Sequence, residues 1–163
     1  MTEYYKDQLE AAMEYQDFVS DALRRDFGIY LGVYNSRRWQ QQKGESAAGV
    51  EIKLDTRFSK TKNLYIEVTE KSNANLADYT ESGILRNDGT WLYLIGDYNE
   101  AFLFSKRQLR AICFQPEDSQ REKGIRKTQT PTSIGYLLPT AWVMQNPILL
   151  KHFDFRGRQP VRV

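Results

Sequence analysis

Two chemically versatile side chains are almost missing: Cys113 is the single cysteine and His152 the single histidine. One thiol cannot close an intramolecular disulfide, and a cysteine-based zinc site needs at least one more. Histidine-rich zinc, haem and Ser-His-Asp schemes are disfavoured too, because one imidazole cannot supply their ligands and bases. An excess of one charge is also lacking. Lys plus Arg number 23 against 21 Asp plus Glu, a net charge of +2, which excludes a polybasic tail or an acidic solvating chain and confines any basic surface to a local patch. No run approaches the ~20 apolar residues of a membrane span. The opening MTEYYKDQLEAAMEY is acidic from its third residue and has no apolar signal core. The expectation is a soluble, cytoplasmic protein with no membrane partner. What is plentiful is carboxylate and core material: 163 residues, 40% hydrophobic and 13% aromatic, suit one domain over residues 1–163.

Leu9, Ala12, Met13, Val19, Ala22 and Leu23 recur at helical spacing, and Phe27-Gly28 supplies a stop, predicting an amphipathic helix over Glu3 to Arg25. Its other side carries Glu10, Glu14, Asp17 and Asp21, which reads first as a solvated stripe. Ile29 to Tyr34 suggests a short strand, followed by a polar piece from Arg37 to Lys43. Gly44 to Gly49 spaces two glycines like a phosphate loop, but Val50-Glu51 stands where Lys-Ser or Lys-Thr is required, so a nucleoside triphosphate site is rejected.

Val50, Ile52 and Leu54 alternate with Glu51, Lys53 and Asp55; Leu64, Ile66 and Val68 alternate with Tyr65, Glu67 and Thr69. Both are half-buried strands by period, and residues 59–63 make a plausible loop between them, predicting an antiparallel hairpin. If Phe58 opposes Leu64, then Asp55 opposes Glu67, Lys53 opposes Thr69 and Glu51 opposes Lys71. Like charges so opposed repel unless a proton, lysine or cation sits between them. Two or three carboxylates are the hard donors that Mg²⁺ or Mn²⁺ prefers, and a neighbouring lysine can orient a water or neutralise a phosphate. The plainer alternative is a solvent-facing strand pair with a Glu51–Lys71 ion pair.

Trp91 to Gly96 reads as a strand buried on both faces, residues 101–104 as a further strand, and Ser105 as the cap of a short helix through Ile112. The sheet is expected to hold about four or five strands. Residues 115–132, with Arg121, Lys123, Arg126 and Lys127, read as a mobile basic loop, and residues 155–163 as a frayed tail. No repeat or linker is evident.

The segments Gly49 to Asp55 and Asn63 to Glu67 together resemble the core of the PD-(D/E)XK nuclease superfamily, whose E-x-K strand follows an N-terminal helix. Gly44-Glu45, Thr61 to Glu67 and Ser82 to Asp88 extend the resemblance towards small, uncharacterised phage-type members. The resemblance covers roughly residues 9–112. It implies an α/β fold with an N-terminal helix and a small mixed sheet flanked by helices, as in restriction endonucleases. It also implies Mg²⁺- or Mn²⁺-dependent cleavage of DNA in the cytoplasm, the host's if the chain is phage-encoded. Glu51, Asp55 and Glu67 would ligate metal, joined by Glu45 or Glu14, and Lys53 would position the attacking water. The acid expected before E-x-K is displaced to Glu45. A second alignment makes Asp55 the leading acid and Glu67-Val68-Thr69 the E-x-K equivalent, with Lys53 or Lys71 replacing the lysine; the first is preferred. Candidate DNA contacts are Arg37, Arg38, Lys60, Lys62, Lys106, Arg107, Arg110 and the Arg121 to Lys127 loop, since phosphate binding needs only local cations, with Trp39 able to stack on a base or sugar. A homodimer is implied by the same resemblance. The competing reading is a noncatalytic nucleic-acid-binding or phage assembly protein that keeps the fold.

Overall fold

The computed structural model describes residues 3–32 and 47–157. The expected helix is present as α1 (Glu3–Phe27). Tyr15, Val19, Ala22 and Leu23 form its buried stripe, each large apolar side chain contributing roughly 1.5–3 kcal/mol when fully buried. Residues 28–32 form no strand, so the start of the strand expected at Ile29 is absent.

Among the described residues eight strands form two four-stranded sheets. The first contains β1 (Val50–Leu54), β4 (Leu92–Gly96), β5 (Glu100–Ser105) and β8 (Leu149–Asp154), adjacent in that order. In it β1 runs parallel to β4, and the other pairs are antiparallel. The second, in the order β3-β2-β7-β6, is antiparallel throughout and contains β2 (Asn63–Glu70), β3 (Thr80–Glu81), β6 (Arg126–Gln129) and β7 (Ser133–Pro139). Short helices intervene: α2 (Phe58–Thr61), α3 (Lys106–Cys113), α4 (Glu117–Glu122) and α5 (Thr140–Val143). The protein is thus mixed α/β, with a small mixed sheet and helices; where one sheet of four or five strands was expected there are two, and the mixed sheet has α1 on one face and the second sheet on the other.

The predicted hairpin does not form. β1 pairs with β4, placing Glu51 opposite Tyr93 and Lys53 opposite Ile95, while β2 pairs with β7, placing Glu67 opposite Gly135. The reason lies in the connection. Asp55 accepts the Arg57 amide proton at 3.0 Å and starts a turn, Phe58 is buried in the core, and α2 ends at Lys62 in the left-handed region. That turn of helix sends the chain into the other sheet. Residues 115–132 likewise are not a continuous loop but contain α4 and β6, with Gln120 buried and its side-chain amide donating to the Cys113 and Gln115 carbonyls.

Side-chain alternation divides the core in two. Val50, Ile52, Leu94, Ala101 and Phe153 face α1, whereas Tyr93, Ile95, Phe102 and Phe104 join Leu64, Ile66, Tyr136 and Leu138 of the second sheet. Phe155, expected within a frayed tail, is buried against α1, its ring 5.4 Å from that of Phe18. Phe27 and Phe153 meet similarly at 5.0 Å. Residues 158–163 of the expected tail lie outside the described residues. Among those described, no helix is long and apolar enough to cross a membrane.

Candidate active site

Glu51, Lys53 and Asp55 leave β1 on the side away from α1, as the period of a strand requires once Val50 and Ile52 face the helix. Glu51 is completely buried, and its two oxygens meet two ammonium groups: Lys53 Nζ at 3.1 Å and Lys106 Nζ at 2.6 Å. Lys106 in turn lies 3.4 Å from Asp88 Oδ1. The backbone amide of Thr90 donates to that same oxygen at 2.9 Å, and the Thr90 hydroxyl is bonded to it as well. Burying charge is costly unless it is paired, and these four groups are paired with one another.

Lys53 and Asp55 line a cavity of about 430 Å³, whose other wall includes Asn63, Tyr65 and Glu67 of β2. Although β1 and β2 belong to different sheets, their polar residues therefore meet. Asp55 accounts for part of this. Its Oδ1 accepts the Arg57 amide, and its Oδ2 accepts the Tyr65 amide at 2.9 Å, fastening the end of β1 to the start of β2. Burial raises the Asp55 pKa above the ordinary carboxylate value, opposed by these amide donors. Glu67 accepts a 2.6 Å hydrogen bond from the Ser82 hydroxyl. Burial raises its pKa also, with Lys53 and Ser82 pulling it down and Glu70 and Glu51 pushing it up. The backbone is close-packed here: at Gly83, φ +51, an added Cβ would lie 2.2 Å from the Glu67 carbonyl oxygen.

The expected residues thus separate. Lys53, Asp55 and Glu67 share the cavity, while Glu51 sits behind Lys53 with both oxygens engaged by lysines. Glu14 is not brought there: it stands exposed on α1, which packs against the opposite face of β1, and its charge helps raise the Tyr98 phenol, secondarily to burial. Glu45, Arg37, Arg38 and Trp39 lie outside the described residues. Lys106 is corrected from a phosphate contact to an internal counterion, since it is 2% exposed and committed to Glu51 and Asp88. Lys60, Lys62, Arg107 and Arg110 are exposed; Lys62 lies 5.3 Å from the Phe58 ring centre, and Arg110 Nε donates to the Ile84 carbonyl at 2.5 Å.

Sequence reasoning missed Asp88 and the inward role of Lys106. A signal existed: Lys106 opens α3, where the helix dipole favours an acid, so a lysine there needs anionic company. It also missed Arg57 and Tyr65, whose side chains line the cavity; the Tyr65 hydroxyl is 2.7 Å from that of Ser133.

Among the described residues no group of three His, Cys, Asp or Glu side chains converges to hold a metal ion. Asp55 and Glu67 nonetheless fit a hard cation chemically. They are oxygen donors lining one cavity, and a carboxylate oxygen that accepts one hydrogen bond retains a second lone pair. Mg²⁺ commonly takes one or two protein carboxylates and completes its shell with water and substrate phosphate. No protein-family model, curated protein or solved structure matches the chain.

Proposed function

We propose that the chain is a Mg²⁺- or Mn²⁺-dependent deoxyribonuclease that hydrolyses phosphodiester bonds at the Lys53–Asp55–Glu67 cavity. One observation carries this reading: Asp55 and Glu67, both with pKa values raised by burial, line one cavity together with the cations Lys53 and Arg57. Behind it Lys53 and Lys106 meet Glu51, and Lys106 meets Asp88. A divalent cation there would favour the charged form of both carboxylates, and acids with perturbed pKa values in a cleft are candidates for a functional site.

Asp55 and Glu67 would hold the metal, which when bound lowers the pKa of a water and draws charge from the phosphate. The second alignment, with Asp55 leading and Lys53 as the displaced lysine, is therefore favoured over the first. Glu51 holds Lys53 by its ammonium at the cavity that Glu67 also lines. From there Lys53 orients the attacking water or stabilises negative charge on the phosphoryl oxygens. Asp55, anchored by two backbone amides, keeps its carboxylate fixed as the substrate enters.

The test is cleavage of linear, single-stranded, supercoiled and four-way-junction DNA by wild type and Lys53→Ala with Mg²⁺, Mn²⁺ or EDTA. Metal-dependent cutting that the variant loses is expected. The absence of a three-ligand group among the described residues favours, as the second reading, a protein that binds DNA without cutting it. That protein would retain DNA affinity in EDTA and behave identically with Lys53→Ala.

A further inference from the structure

The cavity is not lined by polar groups alone. Leu54, Tyr93, Ile95 and Leu137 contribute to its walls beside the two acids and Lys53. Binding a phosphodiester by its charge needs only cations and hydrogen-bond donors; an apolar surface within the same enclosure implies an apolar part of the ligand. At about 430 Å³ the cavity falls within the ~300–1,000 Å³ of small-molecule sites.

Arg57 is the second observation. Its backbone is fixed on both sides: the amide donates to Asp55, and the carbonyl accepts from the Lys60 and Thr61 amides. Its side chain lines the cavity, yet among the described residues its guanidinium forms no ion pair, even with Asp55 and Glu67 in the same walls. A planar guanidinium offers paired donors that match two phosphate oxygens.

We propose that this cavity is a subsite for one unpaired nucleotide, with Arg57 gripping its phosphate and the partly exposed Leu54 and Leu137 receiving its base or sugar. The assignment rests on the hydrolytic reading and narrows its substrate to DNA that presents an unpaired nucleotide. A base stacked and paired within a duplex cannot enter such a recess without being turned out of the helix.

The experiment is calorimetric titration of the full chain with deoxyadenosine 5′-monophosphate and, separately, inorganic phosphate, each with Mg²⁺ and in EDTA. Wild type is expected to bind the nucleotide about tenfold more tightly than phosphate, the lower part of the range for a base on an aromatic or apolar surface. Arg57→Gln is expected to weaken both ligands. Leu137→Ser is expected to weaken the nucleotide and leave phosphate unchanged, while the volume-conserving Leu137→Met keeps the wild-type ratio. Equal affinity for the two ligands, binding of neither, or an Arg57→Gln variant that binds as wild type does would each overturn the assignment. Failure here is separable from failure of the hydrolytic reading. Nucleotide binding without DNA cutting sustains the subsite and removes hydrolysis; equal cutting of duplex and single strand without nucleotide binding does the reverse.

Discussion

Replacing Lys106 by methionine tests the buried charge network directly. The side chain is 2% exposed and bridges Glu51 at 2.6 Å and Asp88 at 3.4 Å. Methionine retains most of the packing volume and removes the charge, leaving two acids in the interior with Lys53 as their remaining nearby ammonium. Removing one partner from a buried pair costs about 3–5 kcal/mol. That is a large share of the ~5–15 kcal/mol by which a domain is stable. At roughly 2–4 °C per kcal/mol for a chain of this size, the midpoint should fall by about 6–20 °C. Urea and thermal unfolding followed by circular dichroism would measure it. Adding Glu51→Gln and Asp88→Asn should recover much of the loss, because no uncompensated charge then stays buried. A cost for Lys106→Met alone below about 1 kcal/mol, the range of an exposed ion pair, would refute the network and return Lys106 to the surface.

At the cavity, burial holds the Asp55 and Glu67 carboxyls above their ordinary pKa values, so the folded chain binds their protons more tightly than the unfolded chain. Their contribution to stability is therefore greatest at acid pH and falls as pH rises from the ordinary carboxylate range through the raised values. Glu67→Gln should consequently melt above wild type at neutral pH, with the gap closing by about pH 3; a variant less stable at neutral pH contradicts this. Mn²⁺ should raise the wild-type midpoint and leave that of Glu67→Gln unchanged. Gly83→Ala should lose at least about 2 kcal/mol in urea, since φ +51 and a Cβ 2.2 Å from the Glu67 carbonyl oxygen are both unfavourable, and Mn²⁺ affinity should fall with it. Burial pushes the Cys113 thiol up to about 12, so it stays protonated and inert near pH 8. Labelling by a thiol reagent should proceed only as fast as the protein opens, which hydrogen exchange would check; rapid labelling of the native chain counts against the packing.

What was legible in the sequence was local. The helical repeat of Val19, Ala22 and Leu23 and the alternation in β1 and β2 identify elements whose periods are set by their own residues, although Leu9 and Met13 of the expected stripe are exposed and Tyr15, outside it, is buried. The partner of each strand was not legible. Residues 59–63 look like a hairpin loop by length, but Phe58 prefers the core and Asp55 prefers backbone amides, and together they turn β2 away from β1. Lys53, Asp55 and Glu67 were expected beside Glu51 on one face of a hairpin; with the hairpin absent, the three share a cavity because strand parity puts them on polar faces and Asp55 ties the two sheets together, while Glu51 lies behind Lys53. The Lys106–Asp88 pairing joins a helix start to a loop eighteen residues earlier, and no periodicity reports such a contact.

The packing of Phe18 on Phe155 and Phe27 on Phe153 sets the order in which the chain can be completed. During synthesis α1 emerges before the residues that cover its apolar stripe, which arrive stepwise, with Leu31, with β1, with β4 and β5, and finally with β8 and Phe155. Until then an amphipathic helix waits on the ribosome with an uncovered face, the kind of species that chaperones bind and that aggregates when crowded. Closure of this layer joins nearly opposite ends of the described chain, a long-range contact that slows folding. Nascent chains stalled before Phe153 should therefore remain protease-sensitive in α1, and release of the last strand should be the step that protects it.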